Sequence, residues 1–324
     1  MRLLAAGALA TGATVAGVRL IMPRRGRKLL LRGRCVRVIE SGDRTGLPVV
    51  MIHGLGGQAD NFARIFPLLP DYLCIAIDRG GAGWSDPAAP GGASLAAQAA
   101  RVASIMDLLG VRGAVVVGHS LGATVALQLA LDRPDLVAGL VTVGGLTQPD
   151  HMRLARIGAA LGRMPVLREG VAYVLGVPML AMTAHWLIRL SFSPEGMPMG
   201  FMRWGGGWMV GQPRAIAGAL RDLDVVSQGI VALQPRLGTL AVPVAALHGR
   251  DDKVLSVAHA VHLAATVPGA DLVVPKGGHM LTVTQPELVA EAIRRVWAAV
   301  ENRTAAAGPV SEHTQARSLL RVAP

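Results

Sequence analysis

Residues 114–119, Ala-Val-Val-Val-Gly-His, form an apolar run with no polar residue alternating into it. A strand with no side meant for water must be covered on both faces, the situation of an interior strand in a parallel sheet. Six further short runs read the same way, at 35–40, 48–53, 72–78, 137–143, 242–248 and 271–275. Helical periodicity fills the gaps between them. Residues 94–109 place apolar side chains at 95, 99, 102, 105, 106 and 109, with Ser94 set to cap the start and Gly110 to stop the end. Residues 120–131, 257–266 and 286–300 read likewise. Strand and helix in alternation predict an α/β protein with a doubly wound, mostly parallel sheet.

Residues 147–240 break that rhythm. They hold no clear strand, eight of the thirteen methionines, three of the five tryptophans and the run Gly205-Gly206-Gly207. The expectation is a helical cap over 147–240, inserted between late strands of a core made from 31–146 and 241–302. Residues 303–324 are small and polar and are expected to be a disordered tail. No internal repeat is present.

The formal net charge of +11 points to nucleic acid until it is located. Nine of the 32 basic residues precede Glu40, the first acid, and the rest of the chain is close to neutral. No basic stripe interleaves with aromatics, so no nucleic-acid partner is expected. Residues 3–18 are apolar, and Leu20, Ile21 and Met22 continue them beyond Arg19. A bilayer span needs about 20 such residues, a length reached here if Arg19 snorkels. With the basic cluster lying after the apolar stretch, residues 1–30 read as a membrane anchor and basic linker. The catalytic portion would then face the cytoplasm. A cleaved export signal and a peripheral helix are the alternatives. Cys35 and Cys74 make neither a disulfide framework nor a zinc spacing.

The chemistry is concentrated where the 114–119 run ends. Gly118-His119-Ser120-Leu121-Gly122 fits G-x-S-x-G between a strand and a helix. Such a turn lifts a serine hydroxyl above the sheet edge, and its glycines avoid clashes with neighbouring backbone. A serine needs a base to take its proton. His279, after the last strand on a loop with Gly277-Gly278, is the candidate, ahead of His53 and His119 beside glycine turns and of His151, His185, His259, His262 and His313. An imidazole base needs a carboxylate to fix its tautomer. Asp252 is preferred over its neighbour Asp251 and over Asp150. The developing oxyanion needs backbone donors. The amide of Leu121 follows the nucleophile, and the amide of Leu55 lies in the glycine-rich loop His53-Gly54-Leu55-Gly56-Gly57.

HGLGG at 53–57, DRGGAGWSD at 78–86, GHSLG at 118–122, GRDD at 249–252 and GGH at 277–279 occur in the order of the α/β-hydrolase superfamily, which this chain resembles in its capped esterase and lipase branch. The resemblance spans 35–300. It implies the chain order Ser120, Asp252, His279 for nucleophile, acid and base. Gly80 stands where the family frequently has proline, and Asp78 is read as a turn-stabilising carboxylate. Dehalogenase and epoxide-hydrolase relatives carry aspartate at the elbow; serine here argues against both.

In that family the cap shapes the substrate site. Trp84, Trp204 and Trp208 are therefore candidate substrate-binding residues, and the methionines add flexible apolar surface. Leu154, Ile157, Leu161 and Met164 share one face of a helical pattern with Arg153, Arg156 and Arg163 elsewhere, a cationic amphipathic helix. The reading is a serine hydrolase cleaving carboxylic esters of hydrophobic or lipid-like small molecules through an acyl-enzyme, with no metal or organic cofactor implied. Its rivals are a C–C bond hydrolase or a cofactor-free haloperoxidase-like enzyme on the same triad, and a non-catalytic binding protein on the same fold. The sequence leaves the oligomeric state open.

Overall fold

The computed structural model describes residues 16–18, 20–149 and 177–306. The apolar stretch before residue 16, the amphipathic pattern at 151–164 and Asp150 lie outside them, as does the expected tail from 307 on; its first residues, 303–306, are helical and not disordered.

Eight strands form one sheet in the order β1-β2-β4-β3-β5-β6-β7-β8. They are β1 Arg27–Leu31, β2 Arg34–Ser41, β3 Leu47–Ile52, β4 Tyr72–Ile77, β5 Ala114–His119, β6 Val137–Val143, β7 Val244–Leu247 and β8 Asp271–Val273. The β1–β2 and β2–β4 pairings are antiparallel and every other pairing is parallel. Around the sheet lie helices α1 Leu95–Leu108, α2 Leu121–Asp132, α3 Val177–Ser191, α4 Phe201–Trp204, α5 Pro213–Leu233, α6 Ala258–Thr266, α7 Leu281–Thr284 and α8 Pro286–Ala306.

The continuous apolar strands follow from two covered faces. Val50, Ile52 and Val116 pack with α1, α2 and α6, through residues such as Ile105, Val125 and Leu263. Val49, Met51, Val115 and Val117 point the other way, onto Val289, Ile293 and Trp297 of α8. Each such valine, fully buried, contributes roughly 1.5–3 kcal/mol relative to exposure. Ser94 caps α1 as expected, accepting from the Ala97 amide at 3.2 Å, and Gly110 ends it with φ of +68°.

The sequence reading leaves β1 as basic linker, whereas Arg27–Leu31 pairs with β2 over its whole length. Its signal is weak because an edge strand buries little: Leu29 is buried while Arg27, Lys28 and Leu30 are exposed. Arg27 Nη2 also reaches Glu40 Oε1 at 2.7 Å. Upstream, Val18 and Met22 pack on Trp84 and Met209. Among the described residues no helix is long and apolar enough to cross a membrane.

Between β6 and β7 the described residues form α3, α4, α5 and short 3-10 turns, without a strand. Val226 and Ile230 of α5 pack on Leu121, Leu146 and Leu255, at the carboxyl ends of the parallel strands. Ligand sites of open α/β sheets lie at those ends.

Candidate active site

Ser120 follows β5 directly, and its backbone sits at φ 53°, ψ −121°. With Arg32 it is one of two non-glycine residues with positive φ among the described residues. A side chain in that region costs on the order of 1–3 kcal/mol and persists only where the surroundings fix it. Here the Ser120 amide donates to Val143 O of β6 at 2.9 Å, and Ser120 O accepts from Ala123 N at 3.0 Å and Leu146 N at 3.2 Å. The flanking glycines are dictated by space. A Cβ on Gly122 would lie 2.1 Å from Ile52 O, and one on Gly118 would lie 2.4 Å from the Ala123 Cα. Leu121 opens α2, so its amide belongs to the first turn, whose N–H groups have no partner within the helix.

Three other parallel strands deliver the remaining candidates from the same sheet edge. The loop after β3 crosses the nucleophile so closely that a Cβ on Gly54 would stand 2.8 Å from the Ser120 Cβ. Leu55, next in that loop, is partly exposed. After β7 comes Asp252, and after β8 comes His279, whose Nδ1 lies 2.8 Å from Asp252 Oδ2. The His279 ring packs against the end of β6, where a Cβ on Gly144 would meet its Nδ1 at 3.2 Å. The structure thus joins His279 to Asp252 and sets both the Gly54 loop and the end of β6 against the elbow. Asp251, the alternative carboxylate, accepts instead from the Gly277 amide at 3.3 Å.

Asp252 is buried and richly bonded. Its Oδ1 accepts from the Val254 and Leu255 amides at 2.7 and 3.0 Å. Burial alone would raise its titration point, but the bonds from His248, His279 and the Leu255 amide outweigh it and hold the carboxyl well below the usual range. It is a fixed anion beside an imidazole, as a tautomer-setting carboxylate must be.

The other histidines near the elbow hold structure. His53 Nε2 accepts from the Arg79 amide at 2.9 Å, so its Nδ1 carries the proton and donates to Gly54 O at 2.8 Å. Burial, then the charge of Arg79, depresses its titration point strongly and keeps it neutral. His119 Nε2 donates to His279 O at 3.1 Å, and burial, followed by the neighbouring His279, lowers its titration point to about 3.

Three residues at the site escaped the sequence reading. His248, at the end of β7, places Nε2 3.1 Å from Asp252 Oδ2. Glu195, in the insertion, accepts from the Gly278 amide at 3.1 Å and so pins the loop that carries His279. Arg79 holds the carbonyls of His53 and Gly54. Only His248 had a sequence signal, a histidine at a strand end four residues before the candidate acid; Glu195 and Arg79 act across folds of the chain that no spacing reveals.

Trp84 is buried against Val18, Met22 and Met209, with the Arg24 guanidinium 5.1 Å above its ring. Trp204 is half-buried, edge-on to Phe201 at 5.4 Å, and donates to Met199 O. Trp208 is exposed. Asp78 is a structural carboxylate: it accepts from Arg37 Nε at 2.7 Å and from the Ala59 and Trp84 amides at 2.8 Å. Among the described residues no group of three or more His, Cys, Asp or Glu is placed to hold a metal ion.

The family model described as the alpha/beta hydrolase fold matches residues 48–286. Among curated relatives, a putative carbamate hydrolase, RutD, of Caulobacter vibrioides is 30% identical over 266 residues, covering 79% of this chain and 92% of that protein. The protein of the same name from Klebsiella pneumoniae subsp. pneumoniae is 29% identical over 247 residues, covering 75% and 88%. Among solved structures, the enol-lactonase from Burkholderia xenovorans LB400 superposes with a TM-score of 0.71 at 17% identity, over 84% of this chain and all of that one. A thermophilic esterase from Thermogutta terrifontis gives 0.69 at 23% identity, covering 85% and 98%. At such identities these two structures speak for the fold alone.

Proposed function

The chain belongs to the α/β-hydrolase family and is a hydrolytic enzyme; on that premise we propose that it is a serine hydrolase of carboxylic esters with apolar acyl or alcohol groups. One observation carries the reading: a serine in strained backbone at a helix start, on the sheet edge that also bears a buried imidazole–carboxylate pair 2.8 Å apart. In this mechanism His279 Nε2 takes the Ser120 proton as Oγ attacks the carbonyl carbon. Asp252 stabilises the imidazolium through Nδ1, and the Leu55 and Leu121 amides receive the oxyanion. The proton then passes to the leaving alcohol. Water, deprotonated by the same ring, releases the acid and restores the serine.

The preference for apolar substrates is supported by the apolar cluster at Leu121, where Leu146, Val226, Ile230 and Leu255 pack together beside the elbow. Exposed Met182, Trp186, Met199 and Trp208 give the insertion an apolar outer surface, in keeping with its role as a cap. In this reading residues 1–30 associate with a membrane: Leu20 and Ile21 stand exposed just ahead of Arg24 and Arg25.

A fluorophosphonate probe tests the nucleophile: wild type should label and Ser120→Ala should not. A p-nitrophenyl ester series from acetyl to long acyl tests the substrate class, with kcat/KM expected to rise with chain length. A flat series would remove the apolar-substrate reading. Flotation with anionic vesicles, weakened in Leu20→Asp/Ile21→Asp, tests the membrane reading. A second substrate class, carbamates, is favoured by the names of the relatives at 29 and 30% identity. It uses the same attack on an acyl carbon, and a p-nitrophenyl carbamate in the same assay distinguishes it.

A further inference from the structure

Arg79 takes no part in the proposed proton transfers, yet its side chain is only 6% exposed, and its guanidinium bonds join the loop after β3 to α1 and to the insertion. Nε donates to His53 O at 3.0 Å and Nη2 to Gly54 O at 2.9 Å, so the flat fork spans two successive carbonyls at the root of the loop after β3. Nη1 donates to Asp222 Oδ2 at 2.8 Å, a residue of α5, and to Gln98 Oε1 of α1 at 2.6 Å. Gln98 Nε2 closes the ring by donating to Asp222 Oδ1 at 3.1 Å.

The consequence lies in one peptide unit. Gly54 C=O and Leu55 N–H share a plane, and in a trans peptide they point in opposite directions. Three donors hold that carbonyl: Arg79 Nη2, His53 Nδ1 at 2.8 Å and the Gly57 amide at 3.2 Å. Fixing the oxygen towards the buried arginine turns the Leu55 N–H to the opposite side of that peptide. A cationic donor on the oxygen also draws electrons from the nitrogen, making that N–H a stronger donor.

We propose that Arg79 is a positioning residue of the oxyanion hole, aiming and polarising the Leu55 amide, and that Asp222 ties this setting to α5 of the insertion. The inference rests on the reading of Ser120 as nucleophile and Leu55 N as oxyanion donor. It adds that the insertion does more than cover the substrate: the seating of α5 sets how well the hole receives negative charge. Lysine at 79 would reach one carbonyl where the arginine fork reaches two.

The test uses the full chain and p-nitrophenyl butyrate, with kcat expressed per serine titrated by a fluorophosphonate so that misfolded molecules do not count. A trifluoromethyl ketone, which forms a tetrahedral adduct on the serine, reports on the hole directly. Arg79→Gln should lower kcat and adduct affinity together by about 10–100-fold, with KM within about twofold. Arg79→Lys should recover part of both, and Asp222→Asn should lower both by about 3–10-fold. These two milder variants carry the test if Arg79→Gln does not fold. Unchanged kcat and adduct affinity in the folded variants, or a change confined to KM, would overturn the proposal while leaving Ser120 as nucleophile intact. Full turnover by Ser120→Ala would instead sink the underlying reading, and this inference with it.

Discussion

His248 Nε2 stands 3.1 Å from the same oxygen of Asp252 that His279 Nδ1 reaches at 2.8 Å. It is also 3.1 Å from Leu255 O, and since a carbonyl only accepts, Nε2 must carry the proton. One carboxylate oxygen therefore receives two imidazole N–H groups, while the other receives two backbone amides. Removing one donor from a buried carboxylate costs about 1.5–3 kcal/mol. His248→Phe should lower stability by that amount in urea titration and reduce kcat, because Asp252 is less firmly set. His248→Gln, whose amide nitrogen can stand where Nε2 stood, should recover most of both. Equal losses in the two variants would show that ring shape matters and the donor does not.

Asp252→Asn separates the acid's charge from its shape. The amide would keep the volume but put an N–H₂ or a neutral oxygen against His279 Nδ1, removing the anion that stabilises the imidazolium. A loss of about 10³–10⁴ in kcat, with KM little changed, is expected on a p-nitrophenyl ester. Asp251→Asn, at a side chain that accepts from the Gly277 amide and not from His279, should leave kcat within about threefold. A reversed ranking would mean that the carboxylate beside the ring is not the one that matters.

What could be read from the sequence was what neighbours along the chain decide. Interior strands announce themselves by apolar runs because both faces are covered, and the elbow by glycines that local space enforces. His279 and Asp252 were legible because each follows a strand whose end must lie at the same sheet edge. β1 was not, since an edge strand with one buried residue leaves no pattern. The packing of Trp84 was not legible either, because its neighbours Val18 and Met22 lie more than sixty residues away along the chain. Arg79, Glu195 and Asp222 were illegible for the same reason: their partners are set by how the insertion folds back onto the core.

Gly122 tests the steric half of the elbow. A methyl there would sit 2.1 Å from Ile52 O, a backbone atom of β3, which pairs with strands on both sides and cannot withdraw. Gly122→Ala should destabilise the protein by about 3 kcal/mol or more, read as a lowered urea midpoint. Gly238→Ala is the control: its nearest neighbour would be Thr266 O at 3.6 Å, an ordinary contact. Comparable losses at both positions would mean that crowding at the elbow is not what demands glycine.

The two buried neutral histidines make stability depend on pH in a direction that can be worked out. His119 titrates near 3 in the folded protein and His53 is likewise well below the ordinary value near 6.5. Between those limits the unfolded chain binds a proton at each site and the folded chain does not, so stability falls as pH drops below about 6.5. Each histidine adds a slope of roughly 1.4 kcal/mol per pH unit once the unfolded form is fully protonated. Asp252 acts in the same sense lower down: its stabilising contribution, complete above the ordinary carboxylate range, is lost as pH falls through its depressed folded value. Urea midpoints at pH 7, 6, 5 and 4.5 should therefore decline progressively. His119→Gln keeps a donor for the His279 carbonyl without an imidazole to protonate, and should flatten the decline by about one proton. A profile independent of pH over that range would mean that these rings accept protons in place, with water reaching them through an open sheet edge.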